Sequence, residues 1–254
     1  INFCDDTFFA RSYEQIKEFA LRYKEINIPF KILSTPSSIS YDKLKMLTNV
    51  GLHNIGIGIQ TVYKPIRKLY KRYESIERIK ESIEVINKVS KENKKPITVR
   101  YDFISDNPWG GEIETEENIR FAMTLKKPRQ IIVFTLVFYH STELYEKAKN
   151  EKIIKDEIKE VYRNEQMCLK RSYMNDVFLL LLHGCPNIII KILLNKYIKI
   201  RSVKLVETIM KSIYVVYNIK NKILNKSAEN TSKRPLKLCR SPKFNGKLGE
   251  VLPI

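Results

Sequence analysis

Residues 131–138 read IIVFTLVF, an almost continuous apolar run of the length of one β-strand. Strands of parallel sheets show such runs because helices cover both of their faces. Stretches with helical periodicity lie between this run and earlier ones, which alternates strand and helix along the chain. The earlier runs are residues 1–4, 30–34, 54–60 and 97–104. The sequence therefore predicts an α/β fold of five consecutive βα units around a parallel sheet.

Residues typical of helix ends stand between the predicted strands. Ser12 with Gln15 three residues later matches a capping box. A stripe of isoleucines marks an amphipathic helix over residues 75–90. Gly51 suits a helix end because glycine readily adopts the left-handed conformation found there. Further helix starts are predicted at Ser40, at Thr115 and at Ser141 or Thr142.

The chain divides into three predicted parts, with the βα units in residues 1–150. Residues 151–225 are predicted to form a helical extension, and residues 226–254, which are polar and basic, a disordered tail. Within the extension, residues 154–182 predict one long helix or two stacked ones. Further helices are predicted over residues 187–198 and 202–224.

The apolar run from Val177 to Leu194 is the only stretch that raises the question of a membrane. His183, Gly184, Pro186 and Lys191 interrupt it, and it falls short of the length of a spanning helix. It predicts two short core helices, with contact at a membrane surface as the alternative.

Positive charge is concentrated in the second part of the chain. The net charge is +18, from 46 Lys and Arg against 28 Asp and Glu, and residues 151–254 account for +12 of it. Such an excess is typical of proteins that bind nucleic acid or an anionic membrane, and also of an ordinary solvated surface. We favour the surface, because no tight basic cluster with interleaved aromatic residues occurs.

The cysteines form no metal-binding pattern. Cys4, Cys168, Cys185 and Cys239 all lie more than four residues apart, so no zinc or iron–sulfur spacing is present and no metal site is predicted. Because the chain carries no secretory signal, we expect reduced thiols and a cytoplasmic location.

A polar pair follows each predicted strand. In parallel βα architectures the carboxyl ends of the strands meet at one edge, where ligands bind. The five pairs therefore predict a small-molecule site at that edge. They are Asp5-Asp6, Ser34-Thr35, Gln60-Thr61, Tyr101-Asp102 and Tyr139-His140.

Carboxylates and an amide are the candidate binding groups at this edge. Asp5 or Asp6 is suited to an ammonium group, with a turn role for both as the alternative. Gln60 can both donate and accept hydrogen bonds, which suits hydroxyl groups or a carboxylate. For Asp102 the alternative is a buried ion pair with Arg100 or a neighbouring strand, and we expect those two side chains to face opposite ways. No catalytic residue is assigned, because no nucleophile–base set or phosphate-binding glycine loop is present.

Four stretches, in this order, resemble the radical S-adenosylmethionine (radical SAM) superfamily, specifically the group with an N-terminal cobalamin-binding domain. They cover residues 1–160 and are INFCDDTFF (1–9), GLHNIGIGIQT (51–61) with IRKLYKR (66–72), YDFISDNPW (101–109) with ETEENI (114–119), and FYHSTELYEKAKNEKII (138–154).

The resemblance implies an incomplete partial TIM barrel, with five of the family's six βα units present, followed by the helical extension. The missing first unit carries the CxxxCxxC loop that binds a four-iron four-sulfur cluster, and the cobalamin domain is also absent. The resemblance implies S-adenosylmethionine as the ligand, with Asp5 or Asp6 near its amino group. It places Gln60 and the Tyr101-Asp102 strand near the methionine carboxylate, the ribose or the substrate.

We therefore expect the carboxyl-terminal part of a radical SAM enzyme, catalytically inactive alone because the cluster loop is missing. The complete enzyme would perform methyl transfer or another radical reaction on an unknown small molecule. A flavodoxin or ferredoxin would supply its electrons. The alternatives are a basic nucleic-acid-binding module, which would align its basic side chains on one helix face between residues 154 and 224, and a non-catalytic remnant.

Overall fold

The computed structural model describes residues 1–93, 96–126, 129–195, 204, 206, 208, 209, 211 and 212. Four strands form one parallel sheet in the order in which they occur along the chain. Helices lie between them and follow them, which confirms the predicted α/β class. The strands are β1 (Phe30–Ser34), β2 (Leu52–Gln60), β3 (Thr98–Ser105) and β4 (Arg129–Thr135).

The helices of the described residues alternate with the strands and then continue beyond them. They are α1 (Tyr13–Tyr23), α2 (Tyr41–Asn49), α3 (Lys64–Leu69), α4 (Ile76–Glu92), α5 (Gly111–Thr124), α6 (Glu143–Asn150), α7 (Tyr173–Leu182) and α8 (Asn187–Leu193). Two short 3₁₀ turns, Phe8–Ala10 and Pro36–Ser38, and a π-helical turn, Ile158–Tyr162, complete the described elements.

The sheet has a covered face and an open face. Because side chains alternate along a strand, β3 places Tyr101 and Phe103 under the helices and Arg100 and Asp102 on the other side. The open face is the side that carries Leu33, Gly56, Gly58, Arg100, Asp102 and Ile132, as the strand register aligns them. Most of these residues are only half-buried. The open face is therefore where a ligand can reach the sheet.

The first of the five predicted strands does not form as a strand, and the sheet has four strands instead of five. Residues 1–4 make a single parallel bridge, between Asn2 and Lys31. It rests on two backbone hydrogen bonds, Lys31 N to Ile1 O at 2.9 Å and Phe3 N to Lys31 O at 3.0 Å. The polar residues after Cys4 lead directly into a 3₁₀ turn, which leaves too short a run for a full strand.

Several predicted helix ends are confirmed. Ser12 and Gln15 form both hydrogen bonds of the capping box, and the Thr142 hydroxyl accepts the N–H of Tyr145. Gly51 follows α2 with a φ of +111°. The predicted start at Thr115 is wrong, because α5 begins at Gly111.

The chain after residue 150 packs onto the same core as the sheet. Residues 173–181 of α7 are all buried, and Phe178 contacts Phe103 of β3 with ring centroids 5.7 Å apart. Of the two alternatives predicted over residues 154–182, one long helix is wrong, since residues 163–172 are not helical, and in place of two stacked helices the structure has the π-helical turn Ile158–Tyr162 and α7, which Ser172 caps. The predicted tail at residues 226–254 and most of the predicted helix over 202–224 lie outside the described residues. The three predicted domain boundaries stay predictions.

Two further expectations from the sequence concern the redox state of the cysteines and the apolar run at residues 177–194. Cys4 and Cys185 are free thiols, whereas Cys168 is disulfide-bonded, so the expectation of reduced thiols is wrong for Cys168. Among the described residues, no helix combines the length and the apolar character that crossing a membrane requires.

Candidate functional site

A cavity of about 230 Å³ opens at the carboxyl ends of β2, β3 and β4. This volume lies below the ~300–1,000 Å³ of most small-molecule pockets, so it suits one part of a ligand rather than a whole one. Its lining combines polar and apolar side chains. They belong to Gln60, Asp102, Ile104, Phe134, Thr135, Leu136, Val137, Tyr139 and Gln166.

Gln60, the last residue of β2, has a strained backbone. Its φ is +64°, and the N–H of Thr61 donates to the carbonyl of Ile59 at 2.8 Å across it. This three-residue turn with positive φ is a rare γ-turn. Such strain persists only where the surroundings impose it, and it is concentrated at functional sites.

Gly58 allows the Gln60 side chain to fold back along the strand. A methyl group at Gly58 would lie 2.7 Å from Nε2 of Gln60, closer than van der Waals contact permits. Gly56 makes room in the same way, since a methyl group there would lie 2.7 Å from Leu33 and 3.1 Å from Arg100. The glycines of β2 thus accommodate side chains on the open face.

Asp102 pairs with Arg100, in contrast to the sequence expectation. Residues two apart on a strand share a face, and Nη2 of Arg100 lies 2.8 Å from Oδ2 of Asp102. The other carboxylate oxygen, Oδ1, is buried and has no hydrogen-bond partner among the described residues. Burial raises the pKa of Asp102, and the bond from Arg100 opposes that shift. Because buried polar atoms are normally paired, Oδ1 has acceptor capacity to offer a ligand.

Two buried side chains hold the turn at residues 60–62 from behind the sheet. Nη1 of Arg67 donates to the carbonyl of Thr61 at 2.9 Å. Oδ1 of Asn118 accepts the N–H of Val62 at 2.8 Å. The side chains of Arg67 and Asn118 are at most 4% exposed, so the backbone of the turn is fixed by the interior of the protein.

Glu114 is the most unusual ionisable group in this region. It is 1% exposed, and burial raises its pKa to about 7, although the nearby Thr61 side chain lowers it in part. Its Oε1 atom has no hydrogen-bond partner within the described part of the chain. Burial also raises the pKa of the neighbouring Tyr70, whose hydroxyl accepts Nδ2 of Asn107 at 2.8 Å.

The segment between α6 and α7 forms one wall of the cavity. The carbonyl of Gln166 accepts the N–H of Thr135 at 2.7 Å, and Nε2 of Gln166 donates to the hydroxyl of Tyr139. Sequence reasoning missed Gln166 because it treated residues after 150 as a separate extension. The alternation of strands and helices gives no signal that a later loop returns to the sheet.

Asp106 fastens this wall to the sheet. Its carboxylate accepts the Thr135 hydroxyl at 3.0 Å, the N–H of Lys170 at 2.8 Å and Nδ2 of Asn175 at 2.6 Å. Oδ1 of Asn175 in turn accepts the Ser105 hydroxyl at 2.7 Å. The Asp106 cluster, meaning these five residues, therefore joins the ends of β3 and β4 to α7.

The structure brings only two of the predicted binding residues to the cavity, Gln60 and Asp102. Tyr101 lies on the covered face at 1% exposure, where burial raises its pKa. Asp5 forms an ion pair with Arg11 at 2.7 Å, and Asp6 is exposed to solvent. Both aspartates follow the segment that bridges to β1, and neither lines the cavity. The ligand contacts assigned to these five residues stay predictions.

The described residues do not fit an iron–sulfur cluster. Within them, no three His, Cys, Asp or Glu side chains group closely enough to hold a metal ion. Cys4 is exposed and the nearest described cysteine in the sequence is Cys168. Of the 13 Lys and Arg residues between residues 154 and 224, whose alignment would distinguish a nucleic-acid-binding surface, five lie outside the described residues, and that alternative stays a prediction.

No protein-family model and no curated protein matches this chain. Among solved structures, an archaeal Methanocaldococcus infernus Elp3 with an N-terminal deletion is similar, with a TM-score of 0.49 and 20% identity over 59% of this chain. Coproporphyrinogen III oxidase (HemN) from Escherichia coli, described as a radical SAM enzyme, is similar with a TM-score of 0.45 and 19% identity over 57% of the chain.

A third solved structure is the radical S-adenosylmethionine methyltransferase TsrM from Kitasatospora setae, with cobalamin and a [4Fe-4S] cluster bound. Its TM-score is 0.47, with 10% identity over 59% of this chain. The chain spans 40%, 32% and 30% of the lengths of Elp3, HemN and TsrM. At these identities and TM-scores, ligand and activity have to be argued from this chain's own residues.

Proposed function

We propose that the chain is the carboxyl-terminal part of a radical SAM enzyme and that the cavity holds part of S-adenosylmethionine. One observation carries this proposal: the strained Gln60 and the partnerless oxygen of Asp102 line one cavity at the carboxyl ends of parallel strands. Strained backbone and unsatisfied buried polar atoms are both costly, and both are typical of ligand sites.

Three of the four stretches that resemble the superfamily contribute side chains to the cavity. Residues 51–61 supply Gln60, residues 101–109 supply Asp102 and Ile104, and residues 138–154 supply Tyr139. The resemblance and the geometry therefore converge on one place in the fold, although they come from different observations.

The side chains at the cavity suit a ligand with hydroxyl or ammonium donors and an apolar part. Oδ1 of Asp102 would accept a hydrogen bond from such a donor, and the amide of Gln60 would donate or accept beside it. The apolar lining from Ile104 and Phe134 would exclude water from that end of the ligand. When bound in a complete enzyme, S-adenosylmethionine supplies the radical chemistry, while the protein supplies binding and orientation.

The cluster and the cobalamin belong, in this proposal, to segments outside this chain, since its described residues do not fit a cluster. The chain alone would then bind ligand without catalysis. The complete enzyme would perform methyl transfer or another radical reaction on a small molecule, with electrons from a flavodoxin or a ferredoxin.

Isothermal titration of the full chain with S-adenosylmethionine tests the binding step. We expect measurable binding, and we expect Asp102→Asn to weaken it by about 10- to 150-fold, the equivalent of the ~1.5–3 kcal/mol of a hydrogen bond to a charged group. Gln60→Ala is expected to weaken it about five-fold, as befits a neutral hydrogen bond of ~1 kcal/mol.

Gln130→Ala provides the matched control, because Gln130 is an exposed glutamine of β4 that does not line the cavity. It should leave the affinity unchanged. Absence of binding in the wild-type chain, or an equal loss in Gln130→Ala and Gln60→Ala, would reject the site. Asp5→Asn and Asp6→Asn add a test of the two residues, one or the other of which the resemblance places near the amino group.

A further inference from the structure

Arg100 lies on the open face of the sheet, below the cavity, and uses little of its hydrogen-bonding capacity. Its Nη2 atom donates to Oδ2 of Asp102 at 2.8 Å, the only hydrogen bond that the guanidinium makes with the described residues. Its Nε atom is buried and has no partner among them. A guanidinium carries five N–H donors on a rigid planar fork, and a buried donor without an acceptor is costly. Arg100 therefore has donors for an acceptor that these residues do not supply.

The contact between Arg100 and Asp102 joins the two side chains at one edge only. An arginine and a carboxylate frequently pair through two parallel hydrogen bonds. Here Nε of Arg100 and Oδ1 of Asp102 both lack a partner within the described residues. Asp102 lines the cavity, whereas Arg100 does not. The pair therefore divides the open face into the cavity, where Asp102 accepts, and a region below it, where Arg100 donates.

Gly56 of the inner strand β2 makes room for this guanidinium. The strand register places Gly56 beside Arg100, and a methyl group at Gly56 would lie 3.1 Å from Nη2 and 3.4 Å from Cζ of Arg100. Glycine weakens the interior of a strand, and it often marks a place where a ligand or another backbone approaches closely. The Arg100 side chain lies over this glycine with 30% of its surface accessible to solvent, so a ligand can reach it.

The strands bring more positive than negative charge to the open face. Alternation along β1 and β3 places both Lys31 and Arg100 on this side. Asp102 is the only carboxylate among the strand residues that the structure describes. The cations of the strands on this face therefore outnumber the anions by two to one.

Arg72 brings a further cation to the same face. Its Nη1 atom donates to the carbonyl of Gly58 at 3.1 Å, and its Nη2 atom lies 3.8 Å from the position of a methyl group at Gly58. The carboxylate of Glu74 lies 3.8 Å from Arg72 but 3.3 Å from the buried Arg67, so one carboxylate serves two guanidinium groups. A face lined by charge of one sign raises the local concentration of ligands of the opposite sign. The open face therefore favours an anionic ligand.

We infer that the open face below the cavity binds an anionic group of the substrate, a carboxylate or a phosphate, through the guanidinium of Arg100. This inference rests on the proposed function, because it takes the cavity to hold part of S-adenosylmethionine and names the class of substrate beside it. The oxygen atoms of either anion match the fork of arginine, and two N–H groups of Arg100 would donate to them. Asp102 would stand between the two ligands, with Oδ1 toward S-adenosylmethionine and Oδ2 toward Arg100.

The experiment follows the Nε–H signals of the arginines by ¹⁵N NMR in the full chain, as sodium phosphate or sodium acetate replaces sodium chloride at constant ionic strength. Arg100→Lys assigns the Arg100 signal. We expect this signal to shift and to saturate with both anions, and the anion that binds more tightly identifies the phosphate or the carboxylate class. A shift that does not saturate, or that sodium chloride alone reproduces, would overturn the inference.

Arg120 provides the matched control in the same spectra. Its Nε atom already donates to Oε1 of Glu116 at 3.0 Å, and its Nη2 atom donates to the same oxygen at 2.6 Å. Because its fork is occupied, its signal should not move with either anion. An Arg120 signal that saturates at the same anion concentration as that of Arg100 would show attraction to arginines in general and would reject the site.

Two variants separate recognition by the fork from attraction by charge, with the backbone N–H signals of Gly56 and Gly58 as the readout. Arg100→Lys keeps the charge and removes the fork, so phosphate should bind about ten-fold more weakly. Asp102→Asn removes the competing carboxylate, so phosphate should bind about five-fold more tightly, although the same variant weakens S-adenosylmethionine. A loss of folding would weaken both ligands, which makes the opposite directions diagnostic. Equal affinities in the wild type and Arg100→Lys would contradict the inference.

S-adenosylmethionine itself carries a carboxylate, and a competition experiment distinguishes it from a second ligand. With S-adenosylmethionine at saturation, the Arg100 signal should still respond to phosphate or acetate. If S-adenosylmethionine abolishes that response, Arg100 binds its carboxylate and the inference of an anionic substrate fails, while the proposed function stands. A chain that binds the anions at Arg100 but not S-adenosylmethionine would reject the proposed function and keep the anion site.

Discussion

Two strand ends with the same unusual backbone differ in how completely their polar groups are paired. Gln60 ends β2 with a φ of +64°, and Asp106 follows β3 with a φ of +60°. The Asp106 carboxylate accepts three hydrogen bonds, and both of its oxygens are used. Around Gln60, by contrast, Asp102 and Glu114 each keep one buried oxygen without a partner among the described residues.

The difference separates a cluster that holds the fold from one that is poised for a ligand. In a fully hydrogen-bonded polar network the hydrogen bonds offset the free-energy cost of burying its groups, and the network stabilises the elements that it joins. A network with a buried polar atom that has no hydrogen-bond partner lowers stability. A ligand that supplies the missing hydrogen bond raises stability again when it binds. The Asp106 cluster should therefore matter most for folding, and the region of Gln60 and Asp102 most for binding.

The largest expected effect comes from breaking the satisfied cluster. Asp106→Ala removes the acceptor of three donors and places alanine in a left-handed conformation. We expect a loss of about 4 kcal/mol in the free energy of unfolding, because three hydrogen bonds to a charged group are lost, although the Thr135 hydroxyl and Nδ2 of Asn175 keep the carbonyls of Cys168 and Lys170 as acceptors. Urea denaturation followed by circular dichroism measures it.

Asp102→Ala is the contrasting variant on the open face. Its ion pair with Arg100 is partly exposed, with 30% of the Arg100 side chain accessible, so we expect a stability loss below about 1 kcal/mol. If both aspartates cost the same stability, the distinction between a structural and a ligand-binding cluster fails.

A middle-sized effect should appear in the part of the pH dependence of stability that comes from Glu114. Its pKa rises from 4.5 to about 7 on folding, so between those values the folded state binds a proton that the unfolded state has lost. Stability from this group is complete below pH 4.5 and is lost as the pH rises through 7. The loss over the whole interval is up to about 3 kcal/mol.

Glu114→Gln removes this dependence because glutamine does not ionise. We therefore expect the wild type to lose stability relative to Glu114→Gln between pH 5 and pH 8, as urea denaturation at the two values would show. Parallel stability profiles of the two proteins would contradict the prediction and would mean that Glu114 ionises as it does in water.

The apolar runs predicted the sheet because each buried strand appears in the sequence as its own apolar run between two helical stretches. IIVFTLVF and its neighbours mark where helices cover the sheet, and the observed strands lie within two or three residues of those runs. Residues 1–4 are the exception: their apolar run is the shortest, and it forms a single bridge at Asn2 instead of a strand.

The site was only half predictable, because a strand end tells which residues reach an edge but not which partners they meet. Tyr101 and Asp102 are adjacent in the sequence and lie on opposite faces. Asp5 meets Arg11, which no spacing rule singled out. Gln166 reaches the site from a later loop, and Glu114 lies in the interior behind it, so only the folded chain reveals them.

The smallest expected effect on stability comes from Gly58→Ala, which tests whether the position of the Gln60 side chain matters for binding more than for folding. In Gly58→Ala the new methyl group meets Nε2 of Gln60 at 2.7 Å, and the flexible end of that side chain can swing away, so we expect a stability loss below about 1 kcal/mol. Binding of S-adenosylmethionine should nevertheless weaken about as much as in Gln60→Ala, because the amide has left its place. The double variant Gly58→Ala/Gln60→Ala should bind no more weakly than either single one, since both changes remove the same contact. Isothermal titration of the three variants measures this, and additive losses would show that Gly58 meets the ligand independently of Gln60.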